Sequence, residues 1–448
     1  MPESHASAAR DRAEPGPPEA ASERFGPGER VAVLLPLPLT GPYDYLVPPD
    51  LELGPGDIVR APLGSREATG AVWDSAPDAQ DAQGKALPDS RLKNVLERFD
   101  VPPLDAVERR FIDWVARYTM TRPGAVLRMA LSVPEALQPP KPLTAYRLAA
   151  DYEVRLEGPP AIRMTDARRR VIEELRDGPA RTPAELARAA GVGPGVVKGL
   201  RDAGLLESVA LSVRVPFAVP DPGCAGPALS PDQDAAAQEL RMRVADGGFG
   251  VTLLDGVTGA GKTEVYLEAV AATLAAGRQV LVLLPEIALS AQALDRFAQR
   301  FGVPPAVWHS ELTAAQRRDT WRAVALGEAR VVLGARSALF LPFHELGLIV
   351  VDEEHDAAFK QEDGVIYHAR DMAVVRARLG DIPAVLVSAT PSLESVHNCR
   401  TGRYQRLHLP DRHGGAALPA IELVDLRRDR PARIESQGQS WLSARLRR

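Results

Sequence analysis

Hydrophobic positions divide this chain into stretches of different texture. Five runs in the second half, VTLLDG (251–256), QVLVLLP (279–285), ARVVLG (329–334), LGLIVVDE (346–353) and PAVLVSA (383–389), are apolar almost throughout. Strands without an alternating polar face are buried on both sides. With helical segments between them, these runs predict a parallel α/β sheet from Leu229 onward. The first half reads differently. VAVLLPLPLTGPYDYLVP (31–48) and GDIVRAPLGSREATGAVWD (56–74) are short aliphatic and β-branched runs broken by Gly and Pro, which predicts a small β-rich domain ending near Asp100. Val107, Phe111, Trp114, Val115 and Tyr118 then recur three or four apart, the apolar stripe of a helix.

Punctuation sets the remaining boundaries. Residues 1–28 are rich in Pro, Ala, Gly and charge and are expected to be a disordered tail. The β-rich domain and its helix take 29–135, and the Pro-rich stretch beginning VPEALQPPKP makes 136–162 a linker. Residues 163–215 read as three helices and a strand, with Thr165 and Thr182 as caps, Pro183 at a first helical position and Gly191 at an end. That is the pattern of a winged-helix unit. Such units touch DNA or other proteins, and both readings stand open here. The α/β lobe is expected over 225–415, with 416–448 leading out of it.

Composition narrows the class. With 448 residues, 45% hydrophobic and 25% charged, the chain reads as several globular domains. A net charge of −5 excludes a histone-like packer but leaves room for local basic grooves. Cys224 and Cys399 have no metal-ligand spacing and read as two reduced thiols. No apolar run reaches the ~18 residues of a membrane span, so the expectation is a cytoplasmic protein with no membrane partner.

The chemistry sits in the lobe. Gly256–Thr263, GVTGAGKT, fits GxxxxGK[ST] and lies between an apolar strand and a helix-forming run. Gly256, Gly259 and Gly261 allow backbone amides to face phosphate, Lys262 adds charge on the outer phosphates, and Thr263 is a ligand for Mg²⁺. The strand LGLIVVDE delivers Asp352, which can hold Mg²⁺ through water, and Glu353, which can polarise the attacking water. Gln233, in LSPDQ, can pair with an adenine edge through donor and acceptor. Ser388 and Thr390, in VSATPS, suit a relay from nucleotide to DNA-contacting loops. PEIALS (285–290) and GARSALFLPF (334–343) offer amides, hydroxyls and Arg336 to a nucleic-acid backbone.

These motifs in this order are those of superfamily-two helicases. The strings GVTGAGKTEVYL, LLPEIALS, WHSEL, GARSALFLPF, DEEHDAAFKQEDGVIYHARDMAVVRA and SATPSLES together closely resemble the bacterial PriA family of primosomal replication-restart helicases, over roughly Val31 to Pro410. The resemblance implies a multidomain α/β chain: a β-rich domain binding the 3′ end of DNA, a winged helix, and one RecA-like lobe. It implies that Tyr43, Asp44, Tyr45, Gly64 and Lys93 line the 3′-end pocket, with a ring on the terminal base, a carboxylate on the sugar hydroxyl and Lys93 on phosphate. Read from the residues alone, Tyr43 and Tyr45 are core aromatics and Lys93 a solvated charge. The family also has an aromatic-rich loop after its acidic box that couples single-strand contact to hydrolysis. Here Phe359, Lys360, Tyr367 and His368 match it, although Val365 and Ile366 leave the loop less aromatic.

The expected activity is therefore ATP-dependent 3′-to-5′ unwinding at stalled or abandoned forks, using ATP and Mg²⁺. The expected partners are forked and single-stranded DNA and, by resemblance, single-strand DNA-binding protein and other primosome components. In the family, text like WLSARLRR leads into a zinc-binding insertion and a second lobe. The chain is accordingly expected to be C-terminally truncated, with zinc needed only beyond Arg448. A fork-binding module with little ATPase and no unwinding is the alternative, and a restriction-type translocase is disfavoured by the 3′-end motif.

Overall fold

The computed structural model describes residues 24–74, 88–138, 143–157, 163–176, 178–211, 217–288 and 291–412, with a few short pieces beyond. The expected tail, residues 1–23 of it, and most of 416–448 lie outside the described residues. The first domain is an antiparallel sheet of β1 (Arg30–Leu34), β2 (Tyr43–Leu46), β3 (Ile58–Leu63), β4 (Arg66–Val72) and β5 (Glu97–Arg98), in the order β2-β1-β4-β3-β5. Inward residues of this sheet, among them Val31, Val33, Tyr45, Val59 and Val72, close a core of their own. Helices α1 (Ala106–Tyr118) and α2 (Pro123–Ala130) follow, α1 capped by the Asp105 carboxylate on Glu108 N.

A second unit has a separate core. It comprises β6 (Leu143–Leu148), α3 (Tyr152–Glu157), α4 (Asp166–Arg176), α5 (Pro183–Ala189), α6 (Pro194–Asp202) and β7 (Leu206–Leu211). Thr182 and Glu185 form a reciprocal cap on α5. The segment expected as linker supplies β6, which pairs antiparallel with β7 from Leu143–Leu211 to Leu148–Leu206. Its Tyr146 is buried among the helices, which fixes the pairing.

The lobe begins at α7 (Pro231–Asp246) and then runs β8 (Gly250–Gly256), α8 (Lys262–Ala275), β9 (Gln279–Leu283), α9 (Ala291–Phe301), β10 (Ala306–Trp308), α10 (Ala314–Ala325), β11 (Val331–Gly334) and β12 (Leu346–Asp352). A small hairpin, β13 (Lys360–Gln361) and β14 (Tyr367–His368), precedes α11 (Ala369–Leu379), β15 (Pro383–Ser388), α12 (Leu393–Arg400) and β16 (Gln405–Leu409). Seven strands form one parallel sheet, β10-β11-β9-β12-β15-β8-β16. The five apolar runs are its five inner strands. Of the two edges, β10 is apolar but only three residues long, and β16 interleaves Gln405, Arg406 and His408 with its leucines.

The first domain is joined to the lobe by a common core. Phe111 of α1 packs 5.3 Å from Phe340, and the buried Trp321 of α10 donates its indole N–H to Ala130 O at 2.8 Å. Full burial of side chains this large stabilises by roughly 1.5–3 kcal/mol each. Within this seam lies Arg376 of α11. It donates to Leu339 O and, at 3.0 Å, to Leu341 O, and sits 3.5 Å from Glu108 Oε2. Burial outweighs the pull of Arg376 and pushes Glu108 up to about 8, so two carbonyls carry most of the guanidinium's bonding at neutral pH.

No helix among the described residues is long and apolar enough to cross a membrane.

Glu108 holds a proton in the folded chain that the unfolded chain releases near its ordinary value of 4.5. Between that pH and about 8 the native state binds more protons, so stability falls as pH rises. Glu108→Gln should flatten this slope. Thermal melts from pH 5 to 8 should show the variant losing less stability than the parent across the window. An unchanged slope would mean that Glu108 does not carry the proton.

Candidate nucleotide and DNA sites

Parallel strands bring their C-terminal ends to one edge, and there the loop after β8 turns into α8. Gly259 and Gly261 have φ of +82° and +78°, conformations that L side chains rarely adopt. Lys262 Nζ donates to Gly256 O at 3.0 Å and Val257 O at 3.2 Å, folding the ammonium back over the loop. Burial lowers its pKa, against the attraction of Glu353, Asp352 and Asp255. A cleft of about 580 Å³ opens here, lined by Gly259, Gly261, Lys262, Thr263, Asp352 and Glu353 among others. Helix N-terminus, ammonium, hydroxyl and carboxylate fit a polyphosphate with Mg²⁺, a cation that takes few protein ligands and completes its shell with phosphate and water.

Asp352 is pushed up to about 6 by burial and by its neighbour Glu353, while a hydrogen bond with Tyr266 acts the other way. Tyr266 is four residues after Lys262 on α8, one turn along the same face, and it was not singled out from the sequence. Glu353 adopts a left-handed φ of +52°, and its N–H donates to the Asp352 carboxylate at 2.9 Å. His355 Nδ1 lies 2.7 Å from Ser388 Oγ, which also accepts from Thr390 N at 3.0 Å. Ser388 is buried and Thr390 exposed, so the pair spans from sheet interior to surface.

Gln233 is 4% exposed and differs from its expected role. Its Oε1 accepts from Ser230 N at 2.9 Å and its Nε2 donates to Ala260 O at 2.8 Å. The amide therefore ties α7 to the phosphate loop, and a base edge would have to share groups already engaged.

Across β9 from this cleft, Pro285, Glu286, His309, Ser310, Arg317, Arg336 and Ser337 line a groove of about 230 Å³. Leu289 and Ser290 lie outside the described residues. Arg336 donates to Ala358 O at 3.0 Å and Lys360 O at 3.2 Å, so it holds the loop after the acidic box. In that loop Phe359 and Tyr367 are buried, Tyr367 edge-on to Phe340 at 5.4 Å. Both are held in the core and anchor the hairpin from below, with Phe359 at the floor of the groove. His368 is half-buried and its pKa is lowered by that burial. Lys360 is exposed beside Glu362 at 3.4 Å, and Ile366 is the exposed apolar residue of the loop.

In the first domain, Lys93 Nζ donates to Gly64 O at 2.9 Å and Tyr45 hydroxyl to Pro62 O at 3.0 Å, so both reach the β3–β4 hairpin. Tyr45 is buried and builds the wall behind the turn. Tyr43 is 41% exposed, and Asp44 points to the opposite face of β2 from both tyrosines. Of the three β2 residues, Tyr43 alone offers a ring at the surface.

Two parts of the chain match known family models. A family model described as the PriA 3′DNA-binding domain (3′BD) matches residues 32–132, and the DEAD/DEAH box helicase model matches 230–399. Replication restart protein PriA of Rickettsia conorii is 34% identical over 398 residues, covering 89% of this chain and 48% of that protein. That of Haemophilus influenzae is 34% identical over 417 residues, 89% of this chain and 54% of the relative. That of Bacillus subtilis is 44% identical over 201 residues, 45% of this chain and 25% of the relative. The chain thus spans about half the length of the first two. The two matched domains imply a nucleotide with Mg²⁺ and DNA as what it binds.

The two loop glycines give a test. At Gly259 an added Cβ meets nothing within 4 Å, whereas at Gly261 it lies 2.4 Å from Gln233 Nε2. Gly259→Ala should cost only the left-handed backbone, about 1–2 kcal/mol. Gly261→Ala should cost about 1 kcal/mol more, through the lost Gln233 bonds, and should weaken nucleotide binding further. Equal losses in thermal melts and nucleotide titrations would show that Gln233 does not brace the loop.

Proposed function

Because the chain belongs to the PriA family, we propose that it acts as an ATP-dependent 3′-to-5′ DNA helicase that recognises abandoned forks and starts primosome reassembly. One observation carries this reading: a 3′-DNA-end domain and a phosphate-loop lobe lie in one chain and share a buried seam. The proposed division is a 3′-end domain over 29–135, a winged helix reaching back to Leu143, and a RecA-like lobe over 225–415. Single-strand DNA-binding protein and other primosome components are the proposed partners, at the nucleoid.

ATP with Mg²⁺ supplies a phosphoanhydride and neutralises charge on its oxygens. The residues around it do the rest. Lys262 turns from the loop carbonyls to the outer phosphates, and Thr263 and Asp352 hold the cation's face of the site. Glu353 orients the attacking water and accepts its proton. Ser388 and Thr390, joined to the acidic box through His355, pass the change to the DNA face. There the groove around Arg336 and Ser310 suits a single-strand backbone, with Lys360 and Ile366 at its margin. In the 3′-end pocket, Tyr43 stacks on the terminal base and Lys93 at the Gly64 turn meets phosphate; Asp44, on the other face of β2, accepts from the sugar hydroxyl around this edge strand.

Lys262→Ala should abolish DNA-stimulated ATP hydrolysis while fork binding in a gel shift stays within about threefold, since the DNA contacts lie on other groups. A variant that hydrolyses at the parental rate removes the site assignment. A parent that binds forks without hydrolysis leaves the binding-module reading in its place.

Asp44→Ala should weaken binding to forks with a free 3′-hydroxyl more than to forks whose end is phosphate-blocked. The expected difference is about 1–3 kcal/mol, the cost of a hydrogen bond whose partner is left unsatisfied. Equal loss on both substrates would assign Asp44 to the fold.

A further inference from the structure

The residue after the proposed general base is the most tightly held carboxylate of the lobe. Glu354 is 0% exposed. Its two oxygens accept from Ser392 N at 2.7 Å, Ser392 Oγ at 3.0 Å, Ser395 Oγ at 3.0 Å and Arg370 at 3.2 Å. Its backbone N–H continues the β12–β15 ladder onto Val387 O at 3.0 Å. One side chain thus fastens the exit of β12 to the start of α11 and to the cap and first turn of α12.

The neighbouring backbone explains what such a cage does. Glu353 sits at φ +52°, and Asp356 N–H closes the turn onto its carbonyl at 2.8 Å. A non-glycine residue holds a left-handed conformation only where its surroundings over-determine it. Glycine would relax the turn but would remove the carboxylate. The anchors on either side are Asp352, whose carboxylate accepts the Glu353 N–H, and Glu354 in its four-donor cage.

We propose that Glu354 is a positioning residue: its cage of Arg370, Ser392 and Ser395 enforces the left-handed turn that aims Glu353 at the attacking water. The inference rests on the reading of Glu353 as general base. It adds that the loop after β15 controls the aim of that base, because Ser392 and Ser395 belong to the segment that follows Ser388 and Thr390.

Glu354→Gln keeps the volume but puts an amide donor among groups that are themselves donors. The test compares parent, Glu354→Gln, Ser395→Ala and Glu353→Gln in the 448-residue chain. Binding of a fluorescent ATP analogue with Mg²⁺ and single-turnover ATP hydrolysis on forked DNA are measured for each. A general base contributes about 10²–10⁴-fold, so Glu354→Gln should slow hydrolysis by at least about tenfold while affinity stays within about twofold. Ser395→Ala removes one donor of the cage and should fall between the two, again with affinity unchanged. It carries the test if Glu354→Gln does not fold.

Hydrolysis at the parental rate in both cage variants would overturn the proposal. So would a loss of binding in proportion to hydrolysis, which marks a merely structural role. If Glu353→Gln hydrolyses like the parent, or the parent does not hydrolyse, the reading of the base falls and the cage falls with it. If Glu353→Gln is inactive and the cage variants are normal, the inference alone fails.

Discussion

Seven strands running in one direction deliver seven chain exits to the same edge, and everything chemical in the lobe follows from that arrangement. A parallel sheet leaves its loops at the C-terminal ends to make the turn into a helix, and these turns carry amides and short side chains that need not fill a core. The phosphate loop leaves β8, the acidic box leaves β12, and the small hydroxyl residues leave β15. These three strands are neighbours in the order β12-β15-β8, so the groups converge without any long-range device. The polar groove at Arg336 and Ser310 uses the exits of β9, β10 and β11 in the same way.

Convergence of this kind creates an electrostatic problem that the side chains then resolve. Asp352 and Glu353 are adjacent carboxylates at a buried strand end, and burial and Glu353 together raise the cost of charge on Asp352. Tyr266 relieves Asp352 with a hydroxyl, and Glu353 escapes outward by its left-handed turn. Glu354 takes the third solution, complete burial against four donors. Three successive acids therefore occupy three environments, and the differences come from the backbone turn more than from the residues.

How much of this was legible in the sequence depended on whether a residue type has more than one use. The inner strands were legible because an uninterrupted apolar run has few alternatives. The phosphate loop was legible because positive φ at Gly259 and Gly261 demands glycine at that spacing. β6 was hidden by its Pro-rich neighbourhood, β10 by its three-residue length and β16 by the polar residues interleaved along it. Aromatic residues were the least readable. Phe359, Tyr367 and Tyr45 carry the same letters whether they stack on a base or sit in a core, and burial alone tells them apart. The Glu354 cage gave no sequence signal, since its members come together across separations of 16 to 41 residues.

The seam between the first domain and the lobe bears on how such a chain can change over generations. Trp321 finds its indole acceptor on α2, and the Arg376 guanidinium lies against Phe111 of α1 at 5.5 Å as well as Phe343 of the lobe at 5.4 Å. The unit from β6 to β7 lies between these two parts in sequence yet closes its own core, so it can be exchanged, lengthened or lost like an insert. The end-binding domain has no such freedom. A recombination event that traded it alone would uncover Trp321 and Phe340, and only an incoming domain already shaped to that face would yield a folded lobe.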